Sequence, residues 1–318
     1  MKSLKRFLFL MVLINLLSLN LVIGQQVPEY PVSYRLYTPF VFNPAIAGSK
    51  DFSEIDLLFG NYGNSNSQLA GGNFRIAKSR KEYLTSVSVP EFTNFGAGGF
   101  IFNDKNDTSR NIGAGLTGSY HLQLDKKALS FLSFGVTVKA IYNDFPGNTD
   151  LNKPAEKTFF PNVDAGIYYY TSSYYAGISA TNLLGNPNDP DSLGYYTIPA
   201  SGQIFFNAGY KFVLSRTWNI LLEPFLIVNT DFEFSGEVTD WFKPGLKLYA
   251  GNFCAGTYFN DFNKISFLFQ YRYNKVYVGS YFEMFYNEPF YKQPILAELV
   301  FGINLSAVRS GLSRHNHW

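Results

Sequence analysis

Ile204-Phe205-Phe206-Asn207-Ala208-Gly209-Tyr210-Lys211-Phe212 is the stretch that decides the fold. Drawn as a strand, it places Ile204, Phe206, Ala208, Tyr210 and Phe212 on one face. Gln203, Asn207, Gly209 and Lys211 fall on the other, because side chains alternate across a strand with period two. The same division into an apolar and a polar-or-small face recurs from about Phe52 to Leu305. In Lys275–Phe285, Val276, Val278, Phe282 and Met284 oppose Lys275, Tyr277, Gly279, Tyr281 and Glu283. In Asn111–Gln123, Ile112, Ala114, Leu116, Tyr120 and Leu122 oppose Gly113, Gly115, Thr117, Ser119, His121 and Gln123. One such strand fits any half-buried sheet. A long series of them fits a closed barrel with lipid outside and polar groups inside.

The first residues point to export. Lys2, Lys5 and Arg6 precede an apolar run, Phe7–Val22, and Val22-Ile23-Gly24 ends it before Gln25. This pattern predicts a signal peptide over residues 1–24, cleaved on export. The run is short for a spanning helix, which needs about 20 apolar residues, and no longer one follows it. A membrane-embedded remainder must then be a barrel, since only helices and closed barrels satisfy every backbone hydrogen bond in lipid. Charged residues are 16% of the chain and aromatics 18%. Soluble domains average more charged residues, roughly 25%. A net charge of +2 with no basic stripe argues against a nucleic-acid partner. Cys254 is the single cysteine, which rules out an internal disulfide or a thiolate metal cluster.

The predicted fold class is all-β, a transmembrane antiparallel β-barrel of about 14 strands, within a range of roughly 12 to 16. Strands are expected near 52–61, 82–89, 95–103, 111–123, 130–142, 160–170, 174–182, 203–213, 217–228, 238–249, 252–259, 264–272, 275–286 and 294–305. Leu69–Ile76 fits a strand, an insertion or a loop. The expected organisation is a signal peptide (1–24), a periplasmic N-terminal segment (25–50), the barrel (51–305) and a C-terminal tail (306–318). Connections alternate in length, with the short Asn260–Asn263 as an exception. Thr171–Ser173, Leu214–Arg216, Ala250–Gly251 and Tyr273–Asn274 are short, whereas Asn143–Phe159, Leu183–Gly202 and Asn229–Glu237 are long. Outer-membrane barrels alternate short periplasmic turns with longer outer loops. The parity predicts periplasmic termini and long loops outside. Among inward positions, Lys139, Lys211, Glu223, Glu283 and Glu298 are candidate lumen charges, expected to pair across the barrel because unpaired burial is costly.

Several segments then point to a family. Phe42-Asn43-Pro44-Ala45-Ile46-Ala47-Gly48-Ser49 resembles the "NPAYAGS" signature of the PorP/SprF family. Asn103-Asp104-Lys105, followed by Thr108-Ser109-Arg110-Asn111, resembles its "ND…G…TRN" loop. Leu129-Ser130-Phe131 with Ser133-Phe134-Gly135 resembles "LSFG", and Phe160-Pro161-Asn162-Val163 through Tyr170 resembles "LPNFGFGVYYYS". The resemblance runs from about residue 34 to residue 305. It implies an outer-membrane barrel of the type IX secretion and gliding machinery of Bacteroidetes. It further implies periplasmic secretion components and a large exported surface protein, such as a gliding adhesin, as partners. It brings no catalytic residue, cofactor or metal. The residues it marks as a structural or partner motif are Phe42, Asn43, Pro44, Ala45, Gly48, Asn103, Asp104 and Arg110.

Pro39–Ser49 is apolar and punctuated by proline, so we expect it to dock in or under the barrel. Gly113-Ala114-Gly115-Leu116-Thr117-Gly118 spells G-x-G-x-x-G, but it lies inside an alternating strand and not at a strand-to-helix turn. Its glycines are expected to line the lumen. Two other readings stay open at this point. A passive channel fits a barrel of this size. A lipid hydrolase would need a Ser–His pair at the lipid boundary, whereas His121 points inward by the alternation.

Overall fold

The computed structural model describes residues 36–50, 52–62, 65–77, 92–105, 109–125, 129–146, 155–185, 202–234, 238–260, 264–285 and 296–305. The expected signal peptide, the strand expected over 82–89 and the tail 306–318 lie outside these residues. The strands are β1 (Ser53–Tyr62), β2 (Ser65–Ala77), β3 (Phe92–Lys105), β4 (Arg110–Asp125), β5 (Ser130–Phe145), β6 (Glu156–Tyr170), β7 (Tyr174–Thr181) and β8 (Gln203–Tyr210). They continue with β9 (Phe212–Ser215), β10 (Ile220–Asp231), β11 (Phe242–Ala250), β12 (Phe253–Asn260), β13 (Lys264–Tyr273), β14 (Val276–Phe285) and β15 (Leu296–Leu305).

Neighbours in sequence are neighbours in the sheet, and every pairing is antiparallel. β15 returns to β1, with Ser53 opposite Leu305 and Asn61 opposite Ala297. This closure removes the unpaired edges that lipid would not tolerate. β8 and β9 both pair with β10 and are two halves of one strand interrupted at Lys211. The closed barrel therefore has 14 strands.

The alternation maps onto the wall. Glu54, Asp56 and Leu58 are buried in the lumen, while Ile55, Leu57 and Phe59 between them face out. Ile101, Leu116 and Phe159 are 61%, 76% and 68% exposed. Such apolar exposure, strand after strand, is that of a surface solvated by acyl chains. Aromatic residues gather towards both ends of this band. Tyr174 stacks on Tyr210 at 6.3 Å and Tyr210 meets Phe212 at 4.4 Å at one end, and Phe234 meets Trp241 at 5.8 Å at the other.

Four strand expectations shift. The second strand is β2, which contains Leu69–Ile76. Its loop-side half carries Ser65, Asn66, Ser67 and Gln68 on both faces, so the apolar pattern is weak there. The strand expected over 203–213 breaks at Lys211, whose N–H donates to the Ser173 carbonyl at 2.7 Å. β10 starts at Ile220 instead of residue 217, because Asn219 turns with φ +50. Residues 238–241 form a single helical turn, α1 (Val238–Trp241), before β11. The strand ends that flank 126–129, 171–173, 216–219, 251–252 and 274–275 share one end of the barrel, here the turn end. The strand ends that flank 146–155, 182–202 and 286–295 share the opposite, loop end. The length parity is broken by the long interval 78–91 at the turn end and by the short intervals 63–64, 106–109 and 261–263 at the loop end.

Candidate functional site

Residues 36–50 run inside the barrel. Tyr37, Phe40, Phe42, Ala45, Ile46 and Ala47 are all buried there. Local sequence shapes the segment. Pro39 and Pro44 each open a 3-10 turn, Pro39–Val41 and Pro44–Ile46, as suits a residue with φ fixed near the helical value and no N–H to satisfy. Asn43 caps the second turn, and its Oδ1 accepts from the Ala45 N–H at 3.1 Å. Its Nδ2 donates to the Ile167 carbonyl at 3.2 Å.

The wall has a matching track. Gly96 pairs with Ser119, Ser119 with Gly135, Gly135 with Gly166, and Gly166 with Ser179. These five small residues form one row across β3–β7 on the lumen face. The plug backbone lies along that row. Ser179 Oγ donates to the Phe42 carbonyl at 2.7 Å, and Ser119 Oγ donates to that of Ala47 at 2.6 Å. Ser133, two residues from Gly135, donates to the Ala45 carbonyl at 2.7 Å. A Cβ at Gly166 would overlap Asn43 Oδ1, and one at Gly135 would overlap the Pro44 carbonyl carbon. Beyond the row, the Gly48 N–H donates to Asn73 Oδ1 at 2.9 Å. Gly48 has φ +72, and a Cβ there would sit 2.8 Å from Gly96 Cα. Glycine is needed for both the conformation and the approach.

Side chains of the opposite wall pack into the remaining lumen. Phe42 stacks on Phe205 at 5.5 Å and belongs to one buried cluster with Leu58, Leu69, Phe225, Tyr258, Tyr281 and Val300. Phe40 packs edge-on against Phe100 at 6.2 Å. The Tyr37 hydroxyl donates to the Ser280 carbonyl at 3.2 Å. Replacing Asn43 with alanine removes a cap and a second, partly buried hydrogen bond, each worth about 1 kcal/mol. We expect limited proteolysis of residues 39–49 in the membrane-embedded protein to speed up at least tenfold. An unchanged cleavage rate would show that the cap does not hold the plug.

The candidate motif residues separate into two places. Phe42, Asn43, Pro44, Ala45 and Gly48 form the plug contacts. Asn103 and Arg110 sit across the β3–β4 hairpin at the loop end, where Arg110 Nε donates to Asn103 Oδ1 at 2.8 Å. Asp104 is buried on the lumen face and, with Phe42, lines a cavity of about 30 Å³. Of the G-x-G-x-x-G glycines, Gly113 and Gly115 face the lumen against Phe102 and Phe100, whereas Gly118 faces outward. Gly118 thus departs from the expectation that the three glycines line the lumen, because it has the opposite parity to Gly113 and Gly115.

Among the described residues, Lys139, Glu223 and Glu283 find their partners on their own or nearby strands and not across the barrel. Lys139 bridges to Asp164 on the adjoining strand at 2.7 Å and donates to Asn182 Oδ1 at 2.7 Å. Glu283 accepts from the Tyr281 hydroxyl at 2.7 Å and from Ser266 at 3.1 Å, with Lys264 3.8 Å away. Glu223 accepts from Tyr175 at 2.9 Å and Tyr249 at 3.0 Å. Glu298 is buried between β14 and β1, and Lys211 faces the turn-end mouth. Neighbouring strands and tyrosine hydroxyls are nearer than the far wall, so they supply the partners. The sequence reading missed Asp164, Asp56, which accepts from Tyr277, and Glu54, which binds Lys50 at 2.5 Å and Asn73 at 2.7 Å. All three have inward parity, and only that signal could have found them.

The structure does bring a serine to a histidine. Ser119 Oγ lies 3.1 Å from His121 Nε2. Both groups bind the Ala47 carbonyl, the imidazole at 2.9 Å. With Nε2 protonated, Nδ1 accepts from the Tyr170 hydroxyl at 3.1 Å. The serine proton goes to the plug and not to a base, and a phenol stands where a triad would place a carboxylate. The pair clamps the plug.

The family described as type IX secretion system membrane protein PorP/SprF matches residues 24–294. Among curated proteins, none matches the chain. Solved structures similar to it include the outer membrane protein Omp33 of Acinetobacter baumannii, 12% identical over 81% of this chain and 100% of that one, with a TM-score of 0.40. BamA of Haemophilus ducreyi lacking POTRA domains 1–3 is 10% identical over 80% of this chain and 70% of that one, with a TM-score of 0.39. The NanC porin is 6% identical over 80% of this chain and 98% of that one, with a TM-score of 0.39.

Proposed function

The chain belongs to the PorP/SprF family of type IX secretion system membrane proteins, and from that premise we propose that it acts in the outer membrane as a sealed, non-enzymatic barrel supporting the secretion or surface attachment of large exported proteins. The observation that carries this reading is the filled lumen. Residues 36–50 lie on a Gly/Ser track, and the buried cluster around Tyr258 and Tyr281 fills the space opposite them. A barrel filled in this way is a poor conduit for solutes, which speaks for a scaffold over a porin. The termini face the periplasm in this reading, so that the turn end meets periplasmic secretion components and the loop end meets exported protein.

The test is affinity purification of the tagged protein from native outer membranes, followed by mass spectrometry. Secretion-system components or a large exported protein should be recovered in amounts comparable to the barrel. Recovery of the barrel alone under conditions that keep other membrane complexes intact would overturn the reading.

A further inference from the structure

Beneath the plug, towards the turn end, the lumen keeps a cavity of about 170 Å³. Leu36, Tyr37 and Ile46 of the plug form part of its lining. The strand interruption at Lys211 puts that residue at the mouth. Inward parity runs Gln203, Phe205, Asn207, Gly209, Lys211, so its side chain turns into the cup.

Among the described residues, the charges of the cup do not balance. Its lining holds Lys50, Lys211 and Lys247 against Glu54 and Glu223. Lys50 and Glu54 are an ion pair. The Glu223 oxygens are each taken by a tyrosine hydroxyl, Oε1 by Tyr175 and Oε2 by Tyr249. Both remaining lysines lie within electrostatic reach of Glu223. Among the described residues, neither Lys211 nor Lys247 forms an ion pair or a hydrogen bond. Lys247 Nζ lies 4.9 Å from the Phe225 ring centroid. Among the described lining residues one positive charge is therefore left over in a partly dry cup, where an uncompensated cation is costly and an incoming anion is rewarded.

We propose that this cup is a binding site for a single carboxylate of a polypeptide that enters from the turn end, held by Lys211 and Lys247. The excess of one charge matches a monoanion better than a phosphate, which carries nearly two. The space suits one acidic side chain or one terminal residue, and the apolar part of the lining, Phe225, Ile227 and Leu268, suits its stem. The inference deepens the scaffold reading, since it says how a partner reaching the turn end is gripped. It does not depend on which partner that is.

The probes are three short peptides offered to the purified full-length protein in detergent. One is acetylated and amidated with a single glutamate, one has a free C-terminal carboxylate and no acidic side chain, and one is the amidated glutamine analogue. A charge-assisted hydrogen bond is worth about 1.5–3 kcal/mol, so at least one carboxylate peptide should bind about tenfold or more tightly than the analogue. Which of the two binds identifies the source of the carboxylate. Lys211→Gln and Lys247→Gln should each remove that advantage. Three results would overturn the proposal: equal binding or no binding of all three peptides, full retention in both variants, or stronger competition by inorganic phosphate than by either carboxylate peptide. The comparison within the wild-type protein decides the matter even if a variant does not fold. Its failure would leave the native purification result untouched, so the two readings fail separately.

Discussion

Asp164→Ala is expected to destabilise the barrel by about 3–5 kcal/mol, the usual loss when one partner of a buried ion pair is removed. Asp164 is fully buried and Lys139 nearly so. The aspartate also accepts the Asn182 N–H at 2.8 Å, and Asn182 turns with φ +54. Asn162 Oδ1 accepts the Leu184 N–H at 3.2 Å, and its Nδ2 donates to the Gly185 carbonyl at 3.1 Å. The bridge therefore holds the Asn182–Gly185 turn onto β6. Without the aspartate, Lys139 keeps only the Asn182 amide oxygen. The check is a urea unfolding series in lipid vesicles. Removing both charges together, as Lys139→Met with Asp164→Leu, should recover most of the loss, because no uncompensated charge remains. A single variant within about 1 kcal/mol of wild type would mean that water reaches the pair.

Gly135→Leu is expected to unseat the plug. A side chain at this position meets the backbone of Pro44 and Ala45 and not the end of a flexible side chain, so the plug has no local way to yield. Overpacking of this kind costs about 1–3 kcal/mol even where side chains can shift. Limited proteolysis of residues 39–49 should accelerate by more than tenfold. Gly118→Leu is the control. Gly118 lies on the neighbouring strand but faces outward, with nothing within 4 Å of a Cβ placed there, and its plug should stay as protected as in wild type. Equal protection in both variants would mean that the track is not what seats the plug.

Much of this was legible in the sequence, and the limits have physical causes. Alternation assigns a face to each residue without any knowledge of partners, which is why Tyr277, Tyr281, Glu283 and His121 read correctly as inward. It says nothing of register. Gly96, Ser119, Gly135, Gly166 and Ser179 are scattered along the chain and form a row only once each strand is paired with the next. The bond between Tyr277 and Asp56 joins the two ends of the barrel sequence and exists only after closure. Asn43-Pro44 was more readable, since a cap followed by proline is a local signal. Its target, the Ile167 carbonyl, was not. The break at Lys211 left no trace in the pattern, because Phe212 continues the outward face of β8.

We expect residues 36–50 and the side chains opposite them to seal the lumen. Single-channel recording of the purified protein in planar bilayers should then show a silent membrane for the wild-type protein, and current steps once Gly135→Leu displaces the plug. Reproducible open channels from the wild-type protein would contradict it.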